Sequence, residues 1–345
     1  MAVYPGALKT FVDRVDLSDV VMAADVNSGY AEITAIETAL GANPYTIDDT
    51  VTAGSAVSSV GNYLDMVAYA LKQIKNTAAW YTASPLREVL TAARTYYVRV
   101  DGSDSNTGLV DSAGGAFLTP QRAIDVISST LDLSIYTVTV QVRNGTYTSD
   151  RITLKSCVGQ GSVIIIGNST TPENVIIHST GASATNFYAD NCLTTYQIRY
   201  LKLTAAGANS YGLYILKTTV FLLGLVYGGT FLAHNLTFGA DVSVIGGTSY
   251  KIIGNANYHV YSQVRGLFQA STVTIINDSG SAVNWANSFV RADEISDIRL
   301  FALTSSGSFT GGRYSVNSNS VLVGSAQTTN FGNTAGSTAT GGQAL

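Results

Sequence analysis

The chain has 345 residues, of which 46% are hydrophobic and only 12% charged, about half the roughly 25% charged share of ordinary soluble domains. Its 23 acids and 19 bases leave a net charge of −4, which argues against a nucleic-acid binder held by phosphate contacts. Hydrophobicity this high with only 5 prolines also excludes a disordered chain.

The remaining class is a folded protein with a large core and a surface of Ser, Thr, Asn, Gly and Tyr. Two cysteines, Cys157 and Cys192, cannot make a disulfide framework, and both read as buried thiols. The opening MAVYPGALKT lacks a basic stretch followed by an apolar one, so no secretory signal is expected. The greasiest window, Thr218 to Ala233, is too short to span a bilayer and is broken by Gly224, Gly228 and Gly229. The expectation is a soluble product made in a cytoplasm, without membrane insertion.

Residues 1–93 read as helical. Val26, Tyr30, Ile33 and Leu40 recur at helical spacing, and Gly41 and Pro44 follow where a helix ends. Val57, Val60, Leu64, Val67, Leu71 and Ile74 then alternate spacings of three and four without a miss. That is a heptad seam, and β-branched residues at its second apolar position favour three or four strands over a parallel dimer. An ordinary amphipathic helix packed within one subunit is the plainer alternative, partly served by Met66 and Ala68. Leu86 to Ala93 reads as one more short helix.

From 94 to 323 the period changes to two. Val138, Val140 and Val142 alternate with Thr139 and Gln141, and Ile152 and Leu154 flank Thr153. Short apolar runs follow at 163–166, 175–177, 201–203, 220–226, 242–245, 251–253, 273–276, 298–303 and 321–323, separated by Asn, Gly, Ser and Asp. Runs near 201, 220 and 242, and again near 273, 298 and 321, recur at a step of roughly 19 to 25 residues, the size of one coil in a β-solenoid. A sandwich or jelly roll would also use many short strands, but crisp two-residue hairpin turns are missing. One helix interrupts the pattern near 119–130: Thr119 is a good N-cap, Pro120 suits the first turn, and Ala123, Ile124 and Ile127 form an apolar face. It would serve as a lid on an open solenoid end. Residues 324–345 are a Gly/Ser/Thr-rich tip, either flexible or ordered against neighbouring chains.

The segment Tyr96-Tyr97-Val98-Arg99-Val100-Asp101-Gly102-Ser103-Asp104-Ser105-Asn106-Thr107-Gly108, with the later Gly115-Ala116-Phe117-Leu118-Thr119-Pro120-Gln121-Arg122-Ala123-Ile124, resembles the entry of the right-handed parallel β-helix in bacteriophage tail spikes and tail fibres of the pectate-lyase-like class. The opening (YPGALKTF, VVMAADVN, EITAIETALGANP) and the ending (GGRYSVNSNSVLVGSAQ through STATGGQ) resemble segments of phage appendage proteins, although here Ala344 and Leu345 follow Gln343 where relatives often carry an aromatic. The resemblance implies a mainly β homotrimer with an N-terminal α-helical attachment and coiled-coil domain. It implies mounting on other virion proteins through that domain, host attachment through surface polysaccharide, and synthesis in the bacterial cytoplasm. A polysaccharide depolymerase of the same architecture and a purely structural adaptor or capsid fibre are the alternatives.

Chemistry is sparse. Arg291-Ala292-Asp293-Glu294-Ile295-Ser296-Asp297 is the one carboxylate cluster of the β zone. If extended, it puts Asp293 and Asp297 on one face and Glu294 on the other, the candidates for an acid and base flanking a glycosidic bond. The plainer reading is a solvated turn neutralised by Arg291 and Arg299. Asp101, Asp104 and Asn106 have calcium-loop spacing but lack the later bidentate acid, so a turn bonded to its own backbone is favoured. His178, His234 and His259 lie far apart in sequence and support no metal site. No cofactor is expected, since no phosphate-cradling Gly-rich loop occurs. Tyr188, Tyr196, Tyr200, Tyr211, Tyr214, Tyr227, Tyr250, Tyr258 and Tyr261 crowd the shaft, and are open to sugar stacking or to packing.

Overall fold

A computed structural model describes residues 60–75 and 87–345, together with Tyr30, Ala31, Ile33, Thr34, Asp48, Thr50 and Ala79. The chain divides into two compact units, Met1–Leu86 and Arg87–Leu345.

In the first unit, helix α1 runs Val60–Lys75. It buries Ala68 and Asp65, whose carboxylate accepts the Asp48 backbone N–H at 2.6 Å. The heptad stripe lies elsewhere: Val60, Leu64, Val67 and Leu71 are 39% to 48% exposed. Val57 and the side chain of Ile74 lie outside the described residues. So does most of the expected first helix, of which Tyr30, Ala31, Ile33 and Thr34 are helical.

The second unit is a parallel β-solenoid of about eight turns, consistent with a pectate-lyase-like β-helix. Three parallel sheets of 10, 7 and 8 strands form its walls, and the chain visits them in rotation. One full coil is Asp241–Val244 in the first sheet, Thr248–Ile252 in the second and Ala256–Gln263 in the third. The core follows from register. Val138, Val163, Tyr196, Val220, Val242, Phe268, Ile298 and Leu322 pair in succession down the first sheet, and all are buried. Each large apolar side chain so buried contributes about 1.5–3 kcal/mol. Coils rise about 4.8 Å apart, so identical positions stack side chain on side chain.

Corners are built the same way in coil after coil. Where the third sheet turns into the first, Asn191, Lys217, Gly239, Val264–Arg265, Glu294–Ile295, Ser318–Asn319 and Thr340–Gly341 adopt positive φ. Non-glycine residues pay about 1–2 kcal/mol for that backbone. Ladder bonds offset it: Lys217 N donates to Phe238 O, Gly239 N to Gln263 O, and Ile295 N to Ser318 O.

Helix α2, Pro120–Thr130, covers the N-terminal end with Ala123, Ile124 and Ile127 fully buried. Thr119 Oγ1 accepts from Arg122 N at 3.2 Å, and Asp104 receives Leu118 N, Thr119 N and the Thr119 hydroxyl. The calcium-like spacing is therefore spent on the backbone: Asn106 Nδ2 donates to Ala113 O and Ala116 O, and Asp101 pairs with Arg99. Gln121 closes the open edge of the third sheet, giving to Thr153 O and accepting from Thr153 N.

Three sequence expectations are corrected. Of the short helix expected over Leu86 to Ala93, Leu86 lies outside the described residues and Arg87 to Ala93 is not helical: Glu88–Val89 is a strand paired with Leu131–Asp132, and Arg87 reaches the carbonyls of Ser128 and Leu131. The periodic series mixed two walls, since 201–203 and 273–276 feed the second sheet whereas 220, 242, 298 and 321 begin first-sheet strands. The solenoid also continues past 323. Ser337–Thr338 and Gln343–Ala344 add to the third and first sheets, and Phe331 plugs the core end, stacked on Phe289 at 4.7 Å with its carbonyl accepting Trp285 Nε1–H at 2.8 Å.

Candidate functional site

The third sheet carries the longest strands, among them Thr185–Asp190, Tyr211–Leu216, Phe231–Phe238, Ala256–Gln263 and Val283–Ala292. None was marked by the apolar-run reading, because its outward positions are aromatic and its inward ones include His and Asn. Down this wall Tyr188, Tyr214, Leu236, Tyr261 and Arg291 pair in succession. All but Leu236 are half-buried.

The aromatics gather in two groups. Near the N-terminal end, Tyr188 meets Tyr214 edge-on at 5.7 Å, Tyr211 stacks on Tyr214 at 5.1 Å, and the Arg151 guanidinium lies 4.8 Å from the Tyr188 ring. Two coils beyond Tyr214, Tyr258 and Tyr261 sit 5.0 Å apart beneath Arg291, which lies 4.9 Å from the Tyr261 ring. Such rings offer flat apolar faces with hydroxyls at their rims, and a cation over them is held by the ring quadrupole.

Arg291 is fixed from several sides. Its Nη1 donates to Tyr258 Oη at 2.7 Å and its Nε to Asp293 Oδ2 at 2.6 Å. Burial disfavours its charge, but the bonds to Tyr258 and Asp293 outweigh that and raise its pKa. Burial, first among several causes, pushes Tyr261 up to about 12, so its hydroxyl stays protonated and donates to Asp293 Oδ2. Asn287 Nδ2 also donates to Tyr258 Oη. Beside this network runs a groove of about 640 Å³, lined by Asn284, Asn287, Arg291, Tyr314 and the backbone of Gly311 and Gly312.

The expected carboxylates separate. Left-handed φ at Glu294 and Ile295 turns the chain, so the stretch is a corner and not an extended strand. Asp293 closes the third-sheet side. It is buried, and its oxygens accept from Arg291, Tyr261 and Asn317. Asp297 opens a first-sheet strand and pairs with Arg299 at 2.6 Å. Glu294 is exposed at the turn. A general acid needs a free proton aimed at the leaving oxygen, whereas Asp293 spends both oxygens holding Arg291 and Asn317. The arrangement presents donors and ring faces, a surface suited to gripping hydroxylated ligands.

Proximity that sequence separation concealed appears in the core. His234 and His259 are fully buried on adjacent coils, in contact with Tyr227, Tyr250 and Trp285. Cys192 is buried and Cys157 half-buried, both free, and burial raises both thiols. Among the described residues, no group of three or more His, Cys, Asp or Glu could hold a metal ion, and no helix is long and apolar enough to cross a membrane. Comparison with known proteins returns no match to a family model, a curated protein or a solved structure.

Proposed function

We propose that this chain is a subunit of a bacteriophage tail fibre or tail spike, a homotrimeric virion appendage whose right-handed β-helix meets host-surface glycans along its third sheet. The observation that carries the reading is the register column in which Tyr188, Tyr214, Tyr261 and Arg291 stand in line, with buried Leu236 between Tyr214 and Tyr261. Half-buried tyrosine rings on two adjacent coils and again two coils further on, with hydroxyl and guanidinium donors beside them, match a sugar chain lying along the solenoid axis. The exposed seam of Val60, Leu64, Val67 and Leu71 supports assembly with two further copies, since such a stripe gains by burial against its own kind. The N-terminal unit would then engage other virion proteins, and no nucleic acid or cofactor takes part.

The test is binding of the full chain to purified surface polysaccharide from susceptible cells. Tyr261→Ala and Arg291→Ala should each weaken it by about tenfold, the scale of one stacking or cation–π contact. Undiminished binding by both variants would sink the reading. Release of new reducing ends would favour a depolymerase, and binding to virion proteins alone an adaptor.

A further inference from the structure

A second groove, of about 470 Å³, runs along the corner between the third and first sheets. Its rim comes from three successive coils, at Lys217, Gly239 and Arg265. Lys217 N donates to Phe238 O and Gly239 N to Gln263 O, so these turns stack directly. At about 4.8 Å per coil, Lys217 and Arg265 leave the backbone about 10 Å apart. Gly239, φ +57°, stands between them without a side chain.

Both cations are exposed, and neither side chain has an ion pair among the described residues. Elsewhere on the solenoid Arg99, Arg143, Lys251 and Arg299 are each matched to carboxylates. Asp241 lines the same groove, its Oδ1 accepting from Ser243 at 3.4 Å, and Glu294 is exposed on the coil beyond Arg265. Leu193, 87% exposed, forms one end.

We propose that this corner groove binds the anionic substituent of a polymeric saccharide, carboxylate or phosphate, between Lys217 and Arg265. Identifying the polymer as a saccharide rests on the function proposed above; the demand for an anion rests on the groove alone. Arg265 offers a planar fork of donors and Lys217 a mobile point charge. The glycine turn lets a chain pass close to the backbone, Asp241 accepts sugar hydroxyls, and Leu193 gives an apolar rest for a ring face.

The experiment is calorimetric titration of the full chain with a soluble glucuronate polymer, a poly(glycerol phosphate) and neutral dextran of matched size. At least one anionic polymer should bind about tenfold tighter than dextran, and Lys217→Ala and Arg265→Ala should each remove about that factor, the scale of a charged hydrogen bond. The polymer affected tells carboxylate from phosphate. Arg299→Ala, on the first-sheet face, should change nothing. No binding, no anionic preference, intact binding in both corner variants, or equal loss in Arg299→Ala would each overturn the proposal. Tyr261→Ala reports on the third sheet separately, so either surface can fail alone.

Discussion

His234 Nδ1 lies 3.1 Å from His259 Nδ1, so one of the two nitrogens donates the bond and the other accepts it. On its far side His259 Nε2 meets Tyr250 Oη at 2.6 Å. The far nitrogen of His234, Nε2, is buried without a hydrogen-bond partner. Tyr227, its own hydroxyl bonded to Asn235, stacks on His234 at 4.7 Å. Two residues that the sequence holds far apart thus form one polar bond inside an aromatic core.

This pair makes stability acid-sensitive. Burial drives His259 from its ordinary 6.5 down to about 3 and lowers His234 as well, helped by its neighbour. The folded state keeps both neutral while the unfolded state takes up protons below 6.5. Stability is therefore complete above that pH and falls as pH drops toward 3, by up to about 1.4 kcal/mol per pH unit per histidine. Urea midpoints between pH 6.5 and about 4.5, above the carboxylate range, should decline in the wild type. The double variant His234→Phe with His259→Phe should flatten that slope.

Phe331 ends the aromatic ladder and closes the C-terminal end of the core. Replacing it with Ala removes the stack on Phe289 and opens a cavity beside Trp285. The loss should be about 3–5 kcal/mol in urea titration. Near-normal stability would mean that the last coil contributes nothing to the core.

At the other end, Asp104 gathers three donors at the start of α2. Asp104→Ala should cost about 1–3 kcal/mol, since two backbone N–H groups and a hydroxyl lose their acceptor. Asp104→Asn keeps one oxygen and should cost less. Equal loss in the two would argue against the hydrogen bonds as the cause.

The α1 stripe gives a prediction of assembly. With Leu64 and Val67 both changed to Glu, light scattering should report a monomer where the wild type reports three chains. The solenoid signal in circular dichroism should persist, because those residues lie in the other compact unit. A wild-type monomer at micromolar concentration would remove the trimer from the proposal.

Much of this protein was legible in its sequence. Strict alternation at Val138, Val140 and Val142 marks a wall with one buried face, and Thr119-Pro120 marks the start of α2. Few charges and frequent small polar residues told of many tight corners. These are local signals: period, cap and turn chemistry act within a few residues. What only the tertiary structure decided is which coils touch. It set Tyr188, Tyr214, Tyr261 and Arg291 in one column, parted Asp293 from Asp297 at a left-handed corner, and joined His234 to His259. The physical reason is that a solenoid's lateral neighbours lie a whole coil apart in sequence, and coil length varies with every loop. Register between coils is therefore settled by packing in the shared core, where one residue's slip would turn each inward side chain out to water.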